Sequence, residues 1–365
     1  MPAPFIVPQI RNNSTSSMQS KYRRAIISTM KVSELGEFGL IDLLAEMVNR
    51  SQDKQIASWQ QLLTGIGDDA AAWYGDTSIQ LATVDSFIQD VHFSLGTASW
   101  EDLGWKAMAA NLSDIAAMGG SPRYALVSLA LPDHTEVGDV TALYKGMIEL
   151  VQQTGVAIIG GDINSAPLVA ITITILGSTG QDKQILTRSA AKPGEQVAVT
   201  GYLGTAAAGL EMLTKQLQFN PEDTTYLKKA FLHPYPRITE GKLLVEQGVK
   251  TAIDISDGLI LDLKQICKAS QVSARIEIDR VPIEPAVKAN FNDKSLELAL
   301  SGGEDYELLF TGSTKTIDKV RRAVSCPVTV IGEIVADKPG EVTLVDSKGK
   351  PFSLGKTGWE HFTAR

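Results

Sequence analysis

The chain has 365 residues, 44% hydrophobic and 21% charged, more apolar sequence than one ordinary core uses and enough for two. A net charge of −8 speaks against general binding to nucleic acid or anionic membrane surfaces, which clustered Lys and Arg hold. Cys267 and Cys326 lie far apart with no CxxC spacing, which supports neither a disulfide framework nor a zinc knuckle and points to a reducing cytoplasm; no apolar run approaches the ~20 residues of a membrane helix.

Residues 1–33 carry five Lys/Arg and no Asp or Glu. The composition is similar to that of a transit peptide, but no apolar face accompanies the charges, which favours a disordered extension. In "ELGEFGLIDLLAEMVNR", Leu40, Leu43, Leu44 and Met47 recur at i, i+3, i+4 and i+7 and predict a helix with one buried face. Beyond the glycine-rich "TGIGDDAAAW", the run "SIQLATVDSF" reads as a strand ending at Asp85. "SWEDLGWKAMAANLSDIAAMGG" reads as a helix that starts on a Ser99/Asp102 capping box and stops at Gly119-Gly120.

"RYALVSLAL" is a strand, Val140, Tyr144, Met147 and Val151 mark a helix, and "GVAIIGGD" and "LVAITITILG" are strands. The polar "STGQDKQILTRSAAKPGE" is the boundary region. A second unit follows, with strands at "QVAVTG", "TAIDIS", "ARIEI", "YELLFT" and "VTVIGEIV" and helices through "LLVEQG". No strict βαβ alternation and no repeat period appear, so the fold class expected is α+β with mixed sheets and helices. The expected division is 34–178, 179–345 and a polar C-terminal segment 346–365, whose only core candidates are Trp359 and Phe362.

"GIGDDA" satisfies the GxGxxA form of the dinucleotide fingerprint, but Asp68 and Asp69 stand where the pyrophosphate would meet a helix N-terminus and would repel it. There is no GxxxxGK[ST] either. What recurs is an acid delivered beside glycine, serine or threonine by an apolar or small-residue run: Asp69, Asp85, Asp162, Asp254 with Asp257, and Glu304 with Asp305. One such acid is an ordinary turn residue. Five such places in one chain call for a cation.

Asp114 adds independent weight, since it shares a small, apolar helical face with Ala107, Ala110 and Met118. An ionised carboxylate there is costly unless an Arg or Lys pairs with it or a metal binds it. Four scattered histidines and two cysteines cannot build a zinc or iron site, and no EF-hand spacing is present. All-oxygen ligation favours a hard ion, and Mg²⁺ held by a few carboxylates together with substrate phosphates fits the glycines, which admit phosphate oxygens to backbone N–H groups.

"GEFGLI", "GIGDDAA", "D…DVHF", "KAMAANLSDIAAMGG", "GGD", "LTRSAAKPGE", "HPYPR", "AIDISDGL" and "SGGEDYELLF" follow one another in the order and spacing of the thiamine-monophosphate kinase family. That family belongs to the superfamily of aminoimidazole ribonucleotide synthetase and selenophosphate synthetase. The resemblance spans roughly residues 34 to 365. It implies direct transfer of the γ-phosphoryl group of ATP to thiamine monophosphate, several Mg²⁺ ions, and a homodimer paired through the N-terminal, ATP-binding domains. Carried over by position, the metal ligands would be Asp69, Thr83, Val84, Asp85, Asp114, Asp162, Asp254 and Asp257. Nucleotide contacts would be Gly161, Asp162, Arg188 and Ser256, and substrate contacts His92, Glu304 and the C-terminal aromatic Trp359. The reacting phosphates would be handled by Asp85, Asp162 and Arg188.

Relatives often carry two hydroxyl residues before the aspartate that matches Asp85, whereas this chain has Thr83 and then Val84, so a contact at 84 would use the main-chain carbonyl. His92 could instead be a satisfied strand-end histidine, Trp359 a core plug and Arg188 a surface ion-pair partner. Selenophosphate synthetase needs an N-terminal cysteine and the hydrogenase-maturation relative a C-terminal one, and this chain has neither. A purine-pathway synthetase and a non-catalytic nucleotide-binding scaffold stay as alternatives.

Overall fold

The structure, a computed structural model, describes residues 29–53, 55–66, 71–75, 77–179, 184–355 and 358. Helix α1 (Val32–Leu35) leads into α2 (Glu37–Arg50), which buries Leu40, Leu44 and Val48, spaced by four so that they share one face. The short α3 (Ala57–Gln61) precedes a small hairpin of β1 (Leu62–Thr64) and β2 (Ala72–Trp73).

A four-stranded sheet follows, formed by β3 (Gln80–Ile88), β4 (Ser121–Leu131), β5 (Ala157–Ser165) and β6 (Ala170–Ser178) in the order β3-β6-β4-β5. Only the β4–β5 pair is parallel. Helices α4 (Trp100–Ala117) and α5 (Val137–Thr154) occupy the two crossovers. They cross at backbone contact: a Cβ on Gly104 would lie 1.8 Å from the Leu143 carbonyl oxygen, and one on Gly146 would lie 2.0 Å from that of Glu101. No side chain fits at either position. Ile171, Ile173 and Ile175 of β6 and Val127 and Leu129 of β4 alternate into the core beneath the helices. The opposite face of the sheet is less covered, and Val84 stands 57% exposed there.

The second sheet has seven strands in the order β13-β12-β9-β11-β7-β10-β8. These are β7 (Gln196–Thr200), β8 (Thr251–Asp254), β9 (Ser273–Glu277), β10 (Leu308–Gly312), β11 (Val328–Val335), β12 (Val342–Val345) and β13 (Pro351–Phe352). Only β12 runs parallel to its neighbour β9. Helices α6 (Thr205–Lys215), α7 (Pro221–Leu232), α8 (Ile238–Glu246), α9 (Leu259–Ser270), α10 (Pro285–Phe291), α11 (Ser295–Ser301) and α12 (Thr314–Ala323) belong to this half. The architecture is the expected mixture of two mixed sheets with helices.

Two local readings are corrected. β3 does not end at Asp85 but runs on to Ile88, because Phe87 continues the alternation and pairs with Ile171. β12 also escaped notice: its four residues, Val342–Val345, are too few to register as a period. Asp69, Trp359, Phe362 and residues 1–28 lie outside the described residues. Among the described residues, no helix is long and apolar enough to cross a membrane.

Candidate active site between the two sheets

Helix α4 forms the floor of the site. It is buried on nearly every side, yet carries Lys106, Asn111, Ser113 and Asp114 within an otherwise small and apolar sequence. Asn111 and Asp114 tie β3 to the helix, and Ser113 ties β8 to it. The Asn111 carbonyl accepts from the backbone N–H of Asp85 at 3.0 Å, which caps an amide on the edge strand β3. Thr83 Oγ1 donates to Asp114 Oδ2 at 2.6 Å. Ser113 Oγ donates to Asp254 Oδ2 at 2.7 Å, both groups being buried, and so links the first half of the chain to the last residue of β8.

These bonds gather carboxylates into mutual electrostatic range. Burial pushes the Asp85 carboxyl up from its ordinary value, and Asp254 and Asp257 push it further. Burial raises Asp114 to about 6; the Thr83 hydrogen bond opposes this, Asp85 adds to it, and the Arg188 guanidinium lowers it. Asp254 rises to about 7, through burial and then the charge of Asp114, against the hydrogen bond from Ser113 and the pull of Arg188. Left to themselves, Asp114 and Asp254 are only partly ionised between about pH 6 and 7. A dication among them would favour the ionised state, since the donors are all hard oxygens.

The chemistry of this set therefore suits Mg²⁺, although no three Asp, Glu, His or Cys groups among the described residues are close enough to form a cage. That agrees with an ion that takes a few protein oxygens and completes its shell from water and phosphate.

The turn after β8 is held by Asp262, in the first turn of α9. Its buried Oδ2 accepts the backbone N–H groups of Ser256, Asp257 and Gly258 at 3.1, 3.2 and 3.1 Å. The same turn meets the "SGGEDYE" loop backbone to backbone. Glu304 N–H donates to the Ser256 carbonyl at 2.9 Å, and a Cβ on Gly303 would lie 2.2 Å from that oxygen. Each acid of the loop is anchored. Glu304 Oε1 lies 2.8 Å from Lys106 Nζ. Asp305 accepts from the N–H groups of Gly204 and Ala206 at the start of α6, at 2.6 and 3.0 Å. Glu307 receives the Arg237 fork at 2.7 and 2.5 Å together with Thr200 Oγ1 at 2.6 Å. The Tyr306 phenol is buried, and its pKa is driven well up by that burial and then by Glu304, Asp254, Asp85 and Asp114, which puts the loop beside the acidic group.

Thr83, Asp85, Asp114, Asp254, Asp257 and Arg188 thus form one electrostatic neighbourhood, with Ser256 and Glu304 at its margin. Four other candidates, Gly161, Asp162, Val84 and His92, stand elsewhere or do other work. Asp162 is in register with Ser128, Ser128 with Thr172, and Thr172 with Ser86, so its side chain shares their face of the sheet, opposite to that of Asp85. Asp162 Oδ2 accepts from Asn164 Nδ2 there, beside Gly161. Val84 presents its side chain to the same open face. His92 Nδ1 accepts the Ile88 N–H at 3.0 Å, which closes the turn after β3. Sequence reasoning overlooked Lys106, Asn111, Ser113, Asp262 and Tyr306. The signal available was four polar residues inside one apolar helix, of which only Asp114 was singled out.

Comparison with known proteins follows the same two halves. Residues 67–179 match the family described as AIR synthase related protein, N-terminal domain, and residues 192–345 match its C-terminal domain. The chain is 37% identical over 310 residues to the thiamine-monophosphate kinase of Bacillus subtilis (strain 168), covering 82% of this chain and 93% of that protein. It is 38% identical over 333 residues to the thiamine-monophosphate kinase of Escherichia coli (strain K12), covering 90% and 98%. Among solved structures, AaThiL complexed with AMPPCP and TMP superposes with a TM-score of 0.69 at 31% identity, covering 92% of this chain and 99% of that one.

Proposed function

The chain belongs to the thiamine-monophosphate kinase family of AIR synthase related proteins, and we infer that it transfers the γ-phosphoryl group of ATP to thiamine monophosphate, giving ADP and thiamine diphosphate. The observation that carries this reading is the convergence of Asp85, Asp114 and Asp257 on the buried Asp254, because joining two anionic phosphates demands charge neutralisation above all. The relative solved with AMPPCP and TMP supports the same pair of ligands.

An oxygen of the acceptor phosphate forms the new bond to the γ-phosphorus while the bond from that phosphorus to the β–γ bridging oxygen breaks, leaving ADP. The acceptor is already ionised at neutral pH, so no side chain need take its proton. Asp69, Thr83, the Val84 carbonyl, Asp85, Asp114, Asp162, Asp254 and Asp257 would hold Mg²⁺, which supplies positive charge to the phosphates when bound. Arg188 offers a planar fork to phosphate oxygens, and Ser256 and Gly161 line the nucleotide. Glu304, His92 and Trp359 are assigned to thiamine monophosphate. The protein is assigned to the cytoplasm, with two free cysteines in support.

We also infer a homodimer. Its support is the open face of the four-stranded sheet, where Val84 and Ile88 are exposed beside Ser86 and Thr172. Because Asp162 and Val84 share this face, their contacts to nucleotide or metal would reach a site completed by the second copy.

The test is ADP release from ATP and Mg²⁺ with and without thiamine monophosphate, together with identification of thiamine diphosphate. Release that depends on thiamine monophosphate is the expected result. Release indifferent to it, or driven by a purine-pathway acceptor instead, would overturn the assignment.

A further inference from the structure

Lys106 is the least expected charge in the molecule. It lies in the middle of α4, its residue is 2% exposed, and its ammonium group sits 3.5 Å from the centre of the Phe231 ring. Burial lowers its pKa, and Glu304 is the group that opposes this. A lysine at this depth is tolerated only with a partner. Among the described residues the one anion paired with it is Glu304, whose Oε1 is 2.8 Å away. At that distance the contact is a charge-assisted one between ammonium and carboxylate. The ring face of Phe231 adds a second attraction for the ammonium.

Glu304 is constrained from the other side as well. Its φ is +68° and that of Tyr306 is +50°, both in the left-handed region that side chains seldom adopt. Its N–H is bonded to the Ser256 carbonyl, and its side chain keeps 26% exposure. One end of this carboxylate is therefore fixed by a buried cation while the group stays reachable from solvent. Among the described residues, Lys106 is the group that keeps the carboxylate from rotating outward into water.

We propose that Lys106 is a positioning residue for substrate recognition: by pairing with Glu304 Oε1 it holds the carboxylate so that the remaining oxygen receives the N–H-bearing aminopyrimidine ring of the cationic acceptor. This inference rests on the assignment of Glu304 to the acceptor made above. A paired carboxylate is a weaker long-range attractor for any cation but a more directional acceptor, so selectivity comes from its orientation.

The experiment compares wild type, Lys106→Met, Glu304→Gln and the double variant in the full-length enzyme. Initial rates are measured against thiamine monophosphate and against ATP, with melting temperatures alongside. Methionine keeps the volume of the lysine stem and removes the buried charge, and Glu304 can rehydrate. The expected result for Lys106→Met is a KM for thiamine monophosphate raised about tenfold, with the KM for ATP unchanged. The double variant should be no worse than Glu304→Gln alone, because the two residues act as one unit. A KM for thiamine monophosphate that is unchanged or lower, equal rises in both KM values, or additive effects in the double variant would overturn the proposal. Should Lys106→Met not fold, Lys106→Gln tests the same coupling. Wild-type protein without activity dependent on thiamine monophosphate would overturn the kinase reading itself, a distinct outcome.

Discussion

Ser113→Ala removes one oxygen from the centre of the site. The Ser113 hydroxyl donates to Asp254 at 2.7 Å with both groups buried, so water cannot replace it. A hydrogen bond to a charged acceptor contributes about 1.5–3 kcal/mol. The ionised form of Asp254 should therefore be less favourable by about that amount. At about 1.4 kcal/mol per decade, that is roughly a 10- to 140-fold weaker affinity for the divalent ion.

Two measurements check this. The Mg²⁺ concentration for half-maximal activity should rise by that factor, and Mn²⁺ binding followed by electron paramagnetic resonance should weaken in parallel. Melting without metal should shift little, since the protonated Asp254 has less need of the donor. A Mg²⁺ midpoint equal to that of wild type, in a folded variant, would refute the view that Ser113 prepares Asp254 for a cation.

Asp262→Ala takes the acceptor from three backbone N–H groups, and amide exchange at residues 256–258 should accelerate relative to β8; unchanged exchange would show that the turn is held some other way. Arg237→Lys loses the two-pronged contact with the buried Glu307, which should cost about 2 kcal/mol and lower the melting temperature by a few degrees. Burial pushes the Asp102 carboxyl up, but hydrogen bonds from Ser99 and His233 outweigh it and hold the pKa below its ordinary 3.8. The stabilisation is thus present above about pH 4 and lost as pH falls through the depressed value, so Asp102→Asn should lower the melting temperature at pH 7 and make no difference in strong acid.

Much of the candidate site was legible because its acids sit in local patterns. Asp114 was conspicuous as a carboxylate on an apolar helical face, and the structure gives it Thr83 as donor and Asp85, Asp254 and Arg188 as charged neighbours. Lys106 was not conspicuous, because a lysine in a helix is ordinarily solvated; its burial depends on α7 bringing Phe231 over it and on the loop at 304, about two hundred residues away.

The sequence by itself determined most helices and strands of the first half and the main strands of the second, which acids gather beside glycine and hydroxyl residues, and, through the order of its motifs, the family. These are properties of spacing over a few residues, where a period of 3.6 or 2 and a capping side chain are decided locally. Only the tertiary structure decided which face each acid takes and what it meets. Asp85 looks toward α4 because β3 runs on through it to Ile88, while the register across β6, β4 and β5 turns Asp162 to the other face. Register and interhelical packing are set by contacts between distant segments, and those contacts leave no trace in the local period.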